Sequence, residues 1–157
     1  ARYFIGKPRL VFKFDWQESC SGDVYSDTDW AGCIRTRKST SGGSLMIGGR
    51  LIKAWSSTQP SVSLSFVEAE MAGVTKAAAA AIGFKSLLSD LGVEWPMRVW
   101  TDSTASIGMC SRQGIGKVRH MDTQVMWIQQ RVRNVARNSV RLTLGEARLG
   151  SGSACCL

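Results

Sequence analysis

Three carboxylates stand where they could work together. Asp102 falls at the end of a short apolar strand in "RVWTDSTASIG" (98–108), just before a run of small residues that opens a helix. Asp27 lies near the end of a second strand candidate, "DVYSDTDW". Glu70 sits in a long helical pattern, within its apolar stripe. If the two strands are neighbours, Asp27 and Asp102 meet at one edge of the sheet, and Glu70 reaches the same point from the first turns of the helix. Three carboxylates held together repel one another and become favourable when hard divalent cations such as Mg²⁺ share their oxygens. That arrangement suits two-metal phosphoryl chemistry. The chain has one histidine, and no Walker-type loop occurs, so no Ser-His or Cys-His arrangement and no phosphate-cradling loop competes.

The elements that would position these acids are legible from local pattern. Ser65 and Glu68 form a Ser-x-x-Glu capping box ahead of "SFVEAEMAGVTKAAAAAIGFKSLLSDLG". Its alanines favour helix, Gly92 stands where the helix should stop, and Gly83 is a point where it could kink or divide. On a helical wheel Val67, Met71, Val74, Ala77, Ala78, Ala81 and Leu88 share one face, and Glu70 lies inside it. A carboxylate there is costly unless paired, hydrogen-bonded or bound to a metal, or unless it reaches water at the stripe's edge. "GGSLMIGGRLIKAWSS" reads as a hairpin turning at Gly48-Gly49, and "LVFKF" as a short strand. Helices are expected at about 103–112 and over "MDTQVMWIQQRVRNVA", with a last strand at "SVRLTL". "VMWI" fits a packed helix face, so Trp127 is expected in the core. A leading hairpin followed by alternating elements predicts an α/β chain, a mixed sheet with helices packed on it.

The chain has 157 residues, enough for one domain with a real core. Its hydrophobic content of 44% is globular in type. A formal charge of +8 points to a polyanionic partner or a solvated basic surface. No apolar run approaches the roughly 20 residues of a membrane span, so no membrane partner is expected. The N-terminus lacks the apolar core of a signal peptide and an initiator Met, which reads as a fragment of a longer chain. Five cysteines without metal-type spacing suggest reduced thiols in a cytoplasmic or nuclear setting.

"YSDTDWAGC" with "TRKSTSGG", then "AWSSTQPSVSLSFVEAE", "WTDSTASI" and "KVRHMDTQ", together resemble the ribonuclease H domain of Ty1/copia-type retrotransposon Pol polyproteins, over about residues 1–137. The resemblance implies a ribonuclease H-like fold, a five-stranded mixed sheet flanked by helices, with Mg²⁺-dependent hydrolysis of the RNA strand of RNA/DNA hybrids. It implies Asp27, Glu70 and Asp102 as the catalytic, metal-holding acids; Asp29, on the same side of the strand, rivals Asp27. Lys38, Lys117, Arg119 and His120 become candidates for nucleic-acid backbone contacts, against a solvated basic surface. Ser65 and Ser103 are candidates too, with a helix cap as the alternative for Ser65. Residues 1–22 resemble the segment joining an upstream reverse transcriptase to this domain, 23–145 the domain itself, and 146–157 a divergent, disordered tail. The family context adds a virus-like particle.

The match departs at the end. Family members carry a fourth acid opening a last helix that covers the sheet. Here "GEARLGSGSACCL" has no Asp or Glu after Glu146, so the fourth acid and last helix are expected to be missing. Weak or lost activity follows, with Mn²⁺ as a more forgiving ion than Mg²⁺. The alternatives are an inactive nucleic-acid-binding relic or a subunit whose exposed sheet face meets a protein partner.

Overall fold

The computed structural model describes residues 13, 15–112, 122–133 and 140–144 of the chain. Eight elements follow in order: β1 (Gly22–Asp29), β2 (Thr40–Ile47), β3 (Arg50–Thr58), α1 (Phe66–Asp90), β4 (Met97–Thr101), α2 (Thr104–Ser111), α3 (Asp122–Arg133) and β5 (Val140–Leu144). The strands form one five-stranded sheet in the order β3-β2-β1-β4-β5. β1, β2 and β3 pair antiparallel, while β4 lies parallel to both β1 and β5, so the sheet is mixed. The parallel pairs require crossovers, and the helices supply them. The expected strand "LVFKF", Lys13 apart, and the expected missing last helix fall on residues outside those described.

Alternation decides which side of β1 is covered. Val24, Ser26 and Thr28 are buried, while Asp27 and Asp29 on the other side are exposed. Val24, Leu45, Met97 and Val99 pack against Ala77 and Ala81 of α1. The small alanine side chains let the helix lie close on the sheet. A second cluster joins Met71 and Val74 of α1 to Met109 and Cys110 of α2 and to Val125 and Ile128 of α3. Trp127 is half-buried at its border, with the Arg131 guanidinium over its ring. Burial pushes the Cys110 thiol up to about 12, which makes it a core residue rather than a reactive one.

The ends of α1 follow the local signals. Ser65 Oγ accepts the Glu68 N–H at 3.2 Å, and the Glu68 carboxylate accepts the Leu64 N–H at 2.7 Å. Gly92 adopts φ +76°, a conformation other residues enter at a cost, and the Val93 N–H returns to the Leu88 carbonyl. Gly83 does not divide the helix, which runs 25 residues unbroken. One expectation is corrected here. By length and mean hydropathy (1.2) α1 is apolar enough to cross a membrane. Its charged residues interrupt the apolar run, and its apolar side is buried on the sheet, as in the core helix of a folded domain. At the hairpin, Gly48 (φ +56°) carries the turn between β2 and β3, and the Gly49 N–H is held by Gln17 Oε1 at 3.1 Å.

Candidate metal centre

The register of β1 and β4 brings two of the three acids together. Tyr25 pairs with Trp100; two residues on from Tyr25 in β1 stands Asp27, and two residues on from Trp100, just past the end of β4, stands Asp102. They are therefore level at the same end of the sheet. α1 crosses β1 there, so Glu70, on the helix's buried side, faces them. Each of the three offers a carboxylate oxygen, and these atoms all lie within 4.8 Å of one another. Among the described residues no other group of acids, histidines or cysteines meets that test. Asp29 lies outside the cluster.

The three differ in setting. Asp27 and Asp102 are exposed, whereas Glu70 is 1% exposed. Asp27 Oδ1 accepts the Thr28 N–H at 2.8 Å, which fixes that carboxylate at the strand end. Glu70 Oε2 is buried without a hydrogen-bond partner. Burial first, then the charges of Asp102 and Asp27, push the Glu70 carboxyl up from the ordinary value to about 7. A buried, unpartnered carboxylate oxygen beside two more carboxylates is an unfavourable arrangement for the chain alone. An all-oxygen donor set of three acids is what hard divalent cations take. The residues present therefore fit such an ion.

The other sequence candidates divide. Ser65 is exposed and caps α1. Ser103 is 5% exposed, and its hydroxyl is engaged within the chain, accepting the Ser106 N–H at 3.2 Å as the cap of α2. Lys38 is half-buried in the loop between β1 and β2, which also carries the exposed Arg35 and Arg37. Lys117, Arg119 and His120 lie outside the described residues.

Two constellations escaped the sequence. On the side of the sheet opposite α1, the Arg98 guanidinium donates to both Asp23 carboxylate oxygens (2.7 and 2.9 Å), the Trp100 indole donates to Asp23 at 2.7 Å, and Trp100 stacks on Tyr25. Gln59, half of the dipeptide before Pro60, is 6% exposed and hydrogen-bonded on every side. Its only sequence signal is a long polar side chain at the junction of a strand and a helix.

The chain is 29% identical over 124 residues to the retrovirus-related Pol polyprotein from transposon TNT 1-94 of Nicotiana tabacum, covering 78% of this chain and 9% of that protein. It is 26% identical over 145 residues to the one from transposon RE2 of Arabidopsis thaliana, covering 90% and 10%. It thus spans about a tenth of the length of these curated relatives. No family model matches the chain. Among solved structures, LC11-RNase H1, isolated from compost by a metagenomic approach, superposes with a TM-score of 0.61 at 14% identity, over 82% of this chain and 86% of that one. The same enzyme in complex with an RNA/DNA hybrid gives 0.54 at 15%, over 81% and 86%. The chain fits a ribonuclease H domain of a retrotransposon Pol polyprotein. In this ribonuclease H-like fold the first strand, the first helix and the fourth strand each deliver one acid to a single point.

Proposed function

We propose that this domain hydrolyses the RNA strand of RNA/DNA hybrids, using divalent cations, Mg²⁺ or Mn²⁺, held by Asp27, Glu70 and Asp102. The observation that carries the reading is the meeting of three carboxylates around the unpartnered Glu70 Oε2. Likeness to the Pol polyproteins, and to an enzyme solved with an RNA/DNA hybrid, supports the choice of substrate. When bound, such ions lower the pKa of water and stabilise charge on the leaving oxygen of a phosphodiester.

The chain's own residues supply the rest. Asp27 and Asp102 are open to solvent, so a phosphate can approach from their side, while Glu70 closes the centre from beneath. To hold a cation, Glu70 would have to give up its proton, because only the charged carboxylate is a strong ligand. Lys38, with Arg35 and Arg37 in the same loop joining β1 to β2, is proposed to draw backbone phosphates toward the acids. Lys117, Arg119 and His120 are further proposed contacts. The upstream partner in this reading is a reverse transcriptase in the same polyprotein. A second reading is a domain that binds hybrids through the basic surface that a formal charge of +8 provides and cuts them poorly.

Substrate selectivity tests the proposal. Labelled RNA would be offered as an RNA/DNA hybrid, as duplex RNA and as a single strand, in Mg²⁺ and in Mn²⁺. Cleavage of the hybrid alone supports the reading. Binding without cleavage moves the assignment to the second reading, and equal cleavage of all three overturns the choice of substrate.

A further inference from the structure

A buried amide ties the hairpin to the helix that carries Glu70. Gln59 Nε2 donates to Ser41 Oγ of β2 at 2.8 Å and to the Ala69 carbonyl of α1 at 2.9 Å. Its Oε1 accepts the Ser63 hydroxyl at 2.8 Å, and its backbone N–H donates to the Ser39 carbonyl at 2.8 Å. Both amide protons and the amide oxygen are therefore used, in a site where Ser41 and Ser63 are buried as well. Ala69 immediately precedes Glu70, so whatever holds the Ala69 carbonyl also sets where the Glu70 side chain begins.

The contact between α1 and β1 leaves this task open. At Gly73, one turn beyond Ala69, a Cβ would fall 2.3 Å from Thr28 Oγ1 and 3.1 Å from Ser26 Oγ, so helix and strand meet closely without a side chain between them. The Ser26 and Thr28 hydroxyls, buried in that contact, make no hydrogen bond across it. Close approach fixes the height of the helix over the strand but not its rotation or its slide along the strand. A directional bond to the helix backbone does fix these, and Gln59 makes one.

We propose that Gln59 is a positioning residue for the metal centre: its amide locks the first turns of α1 to the β2–β3 hairpin and thereby sets Glu70 against Asp27 and Asp102. This rests on the reading of the three acids as a cation site. Residues behind a metal's own ligands that are lost by mutation typically weaken metal affinity by roughly 10–100-fold.

The test compares Gln59→Met, which keeps length and removes both donors, with Leu88→Ala at the far end of α1 as a control for general destabilisation. Ser63→Ala frees one side of the amide and serves if Gln59→Met does not fold. Two quantities are measured on each: Mn²⁺ affinity by calorimetry at matched folded fraction, and amide hydrogen exchange along α1. The expected result is a loss of tenfold or more in Mn²⁺ affinity for Gln59→Met, a smaller loss for Ser63→Ala and less than twofold for Leu88→Ala. Amides 69–74 should exchange faster in Gln59→Met while the C-terminal half keeps its protection. Wild-type Mn²⁺ affinity in both Gln59→Met and Ser63→Ala overturns the proposal. If the wild-type chain binds no Mn²⁺, the cation reading has failed. Exchange then decides the anchoring alone, and unchanged protection at 69–74 overturns that too.

Discussion

Neutralising Glu70 should stabilise the metal-free chain, and should do so only above the pH at which an ordinary carboxyl ionises. The folded chain holds the Glu70 carboxyl up to about 7, against 4.5 for a free one, through burial and the charges of Asp102 and Asp27. Below about pH 4.5 Glu70 is protonated folded or unfolded and contributes no pH dependence. Between about 4.5 and 7 the unfolded chain releases the proton while the folded chain keeps it, so stability falls as pH rises. Above about 7 the loss is complete. A difference of about 2.5 pH units at about 1.36 kcal/mol each sets its size at about 3 kcal/mol. Glu70→Gln copies the neutral form and carries no such loss. Urea denaturation in EDTA, from pH 4 to pH 8, should show the stability difference between Glu70→Gln and wild type growing by about 3 kcal/mol in favour of the variant. Excess Mg²⁺ at pH 8 should restore the wild type and leave Glu70→Gln unchanged. A difference that stays constant across this range would refute the reasoning, because Glu70 would then be ionising in the folded chain as it does in the unfolded one.

Four further outcomes are expected. Gly73→Ala should drive α1 off β1, since the added Cβ meets Thr28 Oγ1; chemical denaturation and Mn²⁺ titration should both register the loss. Leu45→Ala should cost about 2–5 kcal/mol, the range for emptying a core leucine site, measured by urea midpoint. Gly92→Ala places a side chain at φ +76° and should cost about 1–2 kcal/mol without altering Mn²⁺ affinity. Binding to a non-cleaved RNA/DNA hybrid should weaken steeply with salt, as the formal charge of +8 requires, and a flat log–log plot would remove the phosphate contacts from the account.

What the sequence disclosed depended on how local the cause was. α1 begins and ends where the Ser65–Glu68 box and Gly92 place it, because caps act within a turn of the residue that makes them. The hairpin turns at Gly48 and Gly49 for the same reason. The apolar stripe with Glu70 inside it was visible, since helical period alone assigns the face. The meeting of Asp27 with Asp102 was a conditional statement until β1 and β4 were seen to pair, as that pairing joins segments some 75 residues apart. The Asp23–Arg98–Trp100 group is hidden for the same reason. Gln59 has no period and no motif. Its importance arises when three segments close around one amide, and only burial reveals that.

In the function proposed, three carboxylates form a working cation-dependent nuclease centre. It is tested most directly by cleavage of a labelled RNA/DNA hybrid with wild type and Asp102→Asn in parallel, in Mg²⁺ and in Mn²⁺. Asp102→Asn removes one charge at an exposed position and spares the core. Wild type is expected to cut the RNA strand, more readily in Mn²⁺, and Asp102→Asn is expected not to. Equal cleavage by both proteins, or none in either ion by folded wild type, would contradict it.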